Sequence, residues 1–182
     1  MSTKVISKVL LAFLLIFSFS SVNAQHHKHH NEKKHPPNYR YSNLPHWGHS
    51  YKVVPHGYYV YPYRGVRYHY YNGVYYKPVG NKYVIVNPPV GIRVKTLPAG
   101  NVRFVVRGRT YFYYYGTFYV RSVNTNEYVA IAPPIGARVD ALPDDYRKVI
   151  IDNMTYYEFD GTYYKAIVDN YGEVWYEVVG EM

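Results

Sequence analysis

Four histidines near the amino terminus are the densest group of residues in this sequence that could do chemistry. They are His26, His27, His29 and His30, and neutral imidazole nitrogens suit zinc, copper or nickel. The stretch around them, 26–40, is polar, basic and without hydrophobic periodicity, which predicts a disordered tail with no fixed second shell. We expect only weak, adventitious metal binding there, and no cofactor.

Catalytic groupings are sparse in the rest of the chain. All nine histidines lie at or before His69, whereas ten of the twelve acids are Asp140 or lie at or beyond Asp144, so a His-carboxylate pair would have to join distant segments. There is no cysteine, no nucleophile elbow, no Gly-rich phosphate loop and no HExxH motif. Glu158 and Asp160 flank a predicted turn, where solvated acids are ordinary. The sequence therefore predicts a protein that is not an enzyme.

The first two dozen residues have the pattern of an export signal. Lys4 and Lys8 precede the apolar run 9–17, and the sequence VNA at 22–24 provides a cleavage site. We expect a signal peptide over 1–24, a mature chain from Gln25 and no transmembrane span after cleavage. An exported chain without cysteine favours a bacterial protein that is secreted, periplasmic or part of the cell envelope.

An eleven-residue phrase marks an internal repeat. PPVGIRVKTLP at 88–98 returns as PPIGARVDALP at 133–143, and PHWGHSYKVVP at 45–55 is a weaker copy. Similar β-branched and aromatic runs follow each copy, which predicts a linker over 25–44 and three β repeats over 45–87, 88–132 and 133–182. Because Pro-Pro cannot donate to a sheet ladder, we interpret the phrase as a joint between units.

Each unit is expected to contain about five short antiparallel strands. Two-residue turns fall at equivalent places: Arg64-Gly65, Arg107-Gly108, Asp152-Asn153, Asn72-Gly73, Tyr115-Gly116 and Asp160-Gly161. We predict an all-β fold of three tandem SH3-like or meander units that share buried surface. The alternative is one continuous sheet or propeller-like blades.

The hairpin register divides the side chains between two faces of each unit. The first face carries His69, Tyr71, Val74, Tyr76, Phe112, Tyr114, Thr117, Tyr119, Tyr157, Phe159, Thr162 and Tyr164. The second face carries Tyr68, Tyr70, Tyr75, Lys77, Tyr111, Tyr113, Phe118, Val120, Tyr156, Glu158, Tyr163 and Lys165. Because the charged residues all fall on the second face, we predict that the first is the core and the second a more exposed surface. The candidate ligand-binding residues are Tyr68, Tyr70, Tyr75, Tyr111, Tyr113, Phe118, Tyr156, Tyr163, Arg67 and Lys77.

Four sequence features follow one another in order: PPxGxxVxxLP, a Val-rich strand, YYYxxGxYY and YVVV. On these features the chain resembles an uncharacterised family of exported bacterial proteins rich in Tyr and Pro. The resemblance covers 45–182, although the first unit has PHWG in place of Pro-Pro-x-Gly. It implies export and a repeated β architecture, and it supplies no catalytic or binding residues.

Charge is strongly polarised along the chain. Residues 56–98 hold six Lys or Arg and no acid, whereas residues 144–182 hold nine acids and three Lys or Arg. A basic, Tyr-rich surface on an exported protein suits polysaccharide or another anionic envelope polymer and disfavours nucleic acid as the main partner. The first hypothesis is a non-catalytic binding module for such a polymer. The alternative is a structural protein that forms homo-oligomers through strand edges and opposed charge.

Overall fold

The computed structural model describes residues 36–181, and these residues form an all-β structure of three five-stranded antiparallel sheets. This confirms the predicted fold class. The sheets are not closed into barrels. The predicted signal peptide and the four tail histidines lie outside the described residues.

All three sheets have the same topology: a two-residue strand from the opening phrase pairs with the last strand of a four-stranded meander. The first sheet contains β1 (Ser50–Tyr51), β2 (Tyr59–Tyr63), β3 (Val66–Tyr71), β4 (Val74–Val79) and β5 (Lys82–Val86). The second contains β6 (Arg93–Val94), β7 (Val102–Val106), β8 (Arg109–Tyr114), β9 (Thr117–Arg121) and β10 (Tyr128–Ile131). The third contains β11 (Arg138–Val139), β12 (Arg147–Ile151), β13 (Met154–Phe159), β14 (Thr162–Val168) and β15 (Val174–Glu181).

The hairpin turns fall where the sequence predicts them. Asn72 and Gly73 have φ angles of 45° and 85°, and every equivalent pair likewise has two positive values, as a type I′ turn requires. Tyr115 adopts φ 44° without being glycine. The register across β3 and β4 pairs Tyr71 with Val74 and Tyr70 with Tyr75, as predicted.

The units pack in series, the second face of one against the first face of the next. Tyr68, Tyr70 and Tyr75 of the first unit share a buried cluster with Ile92, Val94, Tyr119 and Ala130 of the second. At the next junction the second-face residues Tyr113 and Phe118 pack with the third unit, against Val139, Tyr164, Tyr176 and Val178 among others. Each junction therefore contains a buried cluster to which both neighbouring units contribute, as expected for repeats too small to bury a face alone.

The prediction that the second face is exposed is wrong for the first two units. Tyr75, Tyr113 and Phe118 are each at most 1% exposed, and Tyr68 and Tyr70 are also buried. Tyr71 and Tyr114, assigned to the core, are only half-buried. The physical reason is stacking: a face that points away from its own unit's core is covered by the following unit.

Residues 36–44, predicted to belong to a disordered linker, are also placed differently. We call residues 36–49 the amino-terminal strap; its last five residues, 45–49, open the first copy of the repeated phrase, and the segment contacts residues of all three units. The Leu142 N–H donates to the Pro37 carbonyl at 2.6 Å, and the Gly48 N–H donates to the Ile85 carbonyl at 2.9 Å. Tyr41 is 1% exposed, with its ring against those of Tyr113, Tyr114 and Tyr115.

Charge pairing adds to the strap's contacts with the third unit. Arg40 forms an ion pair with Asp140, and its guanidinium also donates to the Gly100 carbonyl. His46 lies 3.4 Å from Asp145, whose other oxygen accepts from the Trp47 N–H at 2.8 Å. Acidic side chains of the third unit therefore contact basic side chains of the strap within the same chain.

Candidate binding site between the units

The repeated phrase forms the joint between successive units through an equivalent hydrogen bond. The Tyr70 hydroxyl donates to the Thr96 carbonyl at 3.1 Å, and the Tyr113 hydroxyl donates to the Ala141 carbonyl at 2.9 Å. Thr96 and Ala141 occupy the same position in their copies of the phrase. Burial raises the pKa of the Tyr113 phenol well above its usual value, so this donor stays protonated.

The hairpin glycines make the second repeated contact. A methyl group added to Gly73 would lie 2.3 Å from the Tyr114 ring and 2.7 Å from Pro98. At Gly116 the same addition would meet Phe159 at 2.5 Å and Pro143 at 3.1 Å. Only glycine lets the hairpin of one unit approach the aromatic ring and the Leu-Pro proline of the next this closely.

One side-chain contact breaks the equivalence of the two junctions. At the first junction the Tyr63 hydroxyl donates to the Val90 carbonyl at 2.7 Å, and a methyl group at Gly91 would lie 2.7 Å from that hydroxyl. At the second junction the position of Tyr63 is taken by Val106, and a methyl group at Gly136 would have no atom within 4 Å. The space that a phenol ring fills at one junction is open at the other.

The open space is a groove of about 530 Å³, which we call the junction groove. Its lining consists of Phe104, Val105, Val106, Arg107, Gly136, Arg138, Asp169 and Trp175. Two aromatic side chains form part of its wall, and two guanidinium groups border it. Arg138 is paired with Glu177 at 2.7 Å, whereas Arg107 contacts no acid within residues 36–181.

Asp169 fixes the position of the Trp175 side chain. One carboxylate oxygen accepts from the Trp175 indole N–H at 3.1 Å, and the other accepts from the N–H groups of Tyr171 and Glu173 at 2.8 and 3.0 Å. Desolvation opposes the charged form of Asp169, but these three donors outweigh it and hold the pKa of the carboxyl below its usual value. The indole is therefore held in place by an ionised carboxylate.

A second groove lies on the middle unit and is lined by arginines. It has a volume of about 740 Å³, and we call it the arginine groove. Arg103, Arg109 and Arg121 are all exposed along it, beside Phe112 and Val120. In the part of the chain that the structure describes, none of the three arginines pairs with an acid; the neighbouring Glu127 pairs with Arg93 at 3.7 Å.

The predicted ligand-binding residues are not brought together on one surface. Tyr68, Tyr70, Tyr75, Tyr113 and Phe118 are buried at unit junctions, Tyr111, Tyr156, Tyr163 and Lys77 are half-buried, and Arg67 is exposed. The metal candidates His26, His27, His29 and His30 lie outside the described residues. Within 36–181 no three His, Asp or Glu side chains converge as a metal site would require.

Sequence reasoning missed both grooves. Arg103, Arg109 and Arg121 of the middle unit form no sequence motif, and their approach to one another depends on strand pairing. The sequence does contain a signal for the junction groove. Aligning the units so that Arg64-Gly65 matches Arg107-Gly108 places Tyr63 opposite Val106, so a large side chain in the first unit is replaced by a small one in the second.

Residues 15–181 match a family of unknown function, DUF6515. The chain belongs to this family. The match to DUF6515 spans all three units and agrees with the uncharacterised family suggested by the sequence. Comparisons with curated proteins and with solved structures gave no significant match. Residues 36–181 contain no helix that could cross a membrane.

Proposed function

We propose that this protein is an exported, non-catalytic binding module that holds an anionic polysaccharide or a similar surface polymer of the cell envelope. The observation that supports this best is the arginine groove. Arg103, Arg109 and Arg121 line one depression, and the Arg109 guanidinium lies over the Tyr111 ring. None of the three has an acid partner among the described residues, so their charge is available to a ligand.

The chemistry of the groove suits a polymer carrying carboxylate or phosphate groups. Guanidinium groups bind such anions through paired N–H donors, and several weak contacts along one chain add to a useful affinity. Phe112 lies opposite Arg103 across β7 and β8 and adds apolar surface beside the charges. The predicted signal peptide would bring the protein to a compartment where such polymers occur.

The test is co-sedimentation of residues 25–182 with insoluble acidic polysaccharide over a salt series. We expect saturable binding that weakens with salt, because the contacts are between exposed charges. The triple variant Arg103→Gln, Arg109→Gln, Arg121→Gln should bind at least about tenfold more weakly, since each exposed contact contributes about 0.5 kcal/mol or more. Neutral polysaccharide should not be bound.

The matched control removes the same charge from exposed positions of the first unit. Lys52→Gln, Arg67→Gln, Lys82→Gln should keep most of the affinity. Equal losses in both triple variants would show that only net charge matters and would contradict a groove-based site.

We favour this module over self-association through opposed charge. Asp140, Asp144 and Asp145, which could have attracted the basic half of another chain, contact Arg40, Asn38 and His46 of the strap in the same chain.

A further inference from the structure

The junction groove differs from the arginine groove in what it can hold. The first junction shows which shape fits the site: a six-membered ring whose hydroxyl reaches the carbonyl of residue 90. Ile135 is the equivalent residue at the second junction, where Val106 leaves the ring position empty. Within residues 36–181, then, one junction contains its own ring and the other has room for a ring from a ligand.

The polar groups around this space indicate which ring. Trp175 and Phe104 offer aromatic surface of the kind on which the C–H face of a sugar packs. Arg107 has no acid partner in the described part of the chain and lies at the same groove, where it could bind a carboxylate. The indole is held in place by Asp169, so no ordering of Trp175 is needed on binding.

We propose that the junction groove binds one uronic acid ring of a polysaccharide. The pyranose takes the place that Tyr63 occupies at the first junction, with one hydroxyl donating to the Ile135 carbonyl and the carboxylate on Arg107. This inference rests on the proposed function and deepens it, because it specifies an acidic sugar as the unit recognised within the polymer.

The decisive variant is Val106→Tyr, which copies the first junction into the second. The new ring should fill the groove without unfolding the protein, since Tyr63 already fits the equivalent space. We expect at least a tenfold loss of affinity for a galacturonic acid trimer, measured by titration calorimetry. The matched control is Val79→Tyr, because Val79 is 52% exposed, belongs to a strand of the first unit and lines neither groove. It should bind the trimer as the parent does.

Circular dichroism and the melting temperature of Val106→Tyr establish that the variant is folded. Unchanged trimer binding by folded Val106→Tyr would overturn the proposal. Equal affinity for a neutral glucose trimer would also overturn the proposal. Preferential binding of N-acetyltyrosine amide would overturn it too, and would indicate that the groove binds a tyrosine side chain of a partner protein.

The two proposals can fail separately. The triple arginine variant should lose sedimentation with polymer but still bind the trimer, because the trimer needs only the junction groove. If the parent protein binds the trimer but does not sediment with polymer, only the proposal for the arginine groove is contradicted. If the parent does not bind the trimer and Val106→Tyr sediments with polymer as the parent does, only the proposal for the junction groove is contradicted.

Discussion

Glu158 stands where the two preceding units have tyrosine, and its contacts differ from those of the tyrosines. Tyr70 and Tyr113 each donate to the opening phrase of the following unit, but no unit follows the third within the described chain. Glu158 turns instead to its own unit: it accepts from the Arg147 Nε at 2.7 Å and from the Gly161 N–H at 2.8 Å. The Glu158 carboxylate is buried, and the exposed Arg147 side chain that covers it is the polar group on this face of the third unit.

The Glu158 contacts give a stability prediction with a defined pH dependence. Desolvation disfavours its charge, yet the Arg147 and Gly161 donors prevail and lower its pKa below 4.5. The unfolded state therefore takes up a proton first as the pH falls, so the stabilisation is complete above pH 4.5 and is lost below it. Glu158→Gln should lower the free energy of unfolding by about 1–2 kcal/mol at pH 7.

Urea unfolding at pH 7 and pH 3 would check this. The difference between parent and Glu158→Gln should shrink at the lower pH. Asp152→Asn, at an exposed turn, should change little at either pH. A Glu158→Gln defect of equal size at pH 3 would show that the carboxylate charge is not the cause.

At the scale of elements, turns were predicted well and the strap was not. Six hairpin turns each contain two adjacent residues with positive φ, and five of these pairs include glycine, as at Asn72-Gly73, so the signal is local. Residues 36–44 of the strap have a polar, Pro-rich composition typical of disorder, and their order depends on partners about 100 residues away, such as Asp140. No local pattern contains such a contact.

The strap leads to a prediction about Tyr41. Its ring is 1% exposed among three tyrosines, so Tyr41→Ala removes a large buried side chain and should cost about 3 kcal/mol or more. Tyr171→Ala, at a site that is 87% exposed, should cost little. Urea unfolding measures both. A Tyr41→Ala loss below about 1 kcal/mol would contradict the role of the strap in holding the units together.

For the whole molecule, the repeat, the number of units and the strands per unit could be predicted, but which faces are buried could not. Alternation of side chains assigns each residue to a face, and charge then suggests which face meets solvent. That inference fails in a stack, since Tyr75 faces away from its own unit and into the next. Two of the three charges on the second face, Glu158 and Lys165, belong to the last unit. Lys77 of the first unit is half-buried beside buried tyrosines of the same face, so its charge does not indicate an exposed face.

A core built from tyrosine makes the whole stack sensitive to alkali. Burial raises the pKa of Tyr75 and Tyr113 well above 10.0 and that of Tyr76 to about 12. In the unfolded chain these phenols ionise near pH 10, while the folded state keeps them protonated, so stability is complete below pH 10 and falls as the pH rises above it. We expect the urea midpoint to fall steeply between pH 9 and about pH 11.

Tyr75→Phe isolates one contribution to this fall. Phe118 occupies the equivalent place in the middle unit, so the ring fits there without a hydroxyl, although the 3.0 Å contact with the Tyr119 hydroxyl is lost. The variant should be less stable at pH 8 but lose stability less steeply above pH 10, by up to about 1.4 kcal/mol per pH unit for one phenol. If the free energy of unfolding falls equally steeply with pH in parent and variant, Tyr75 ionises in the folded protein. That result would mean that water reaches the junction between the first two units.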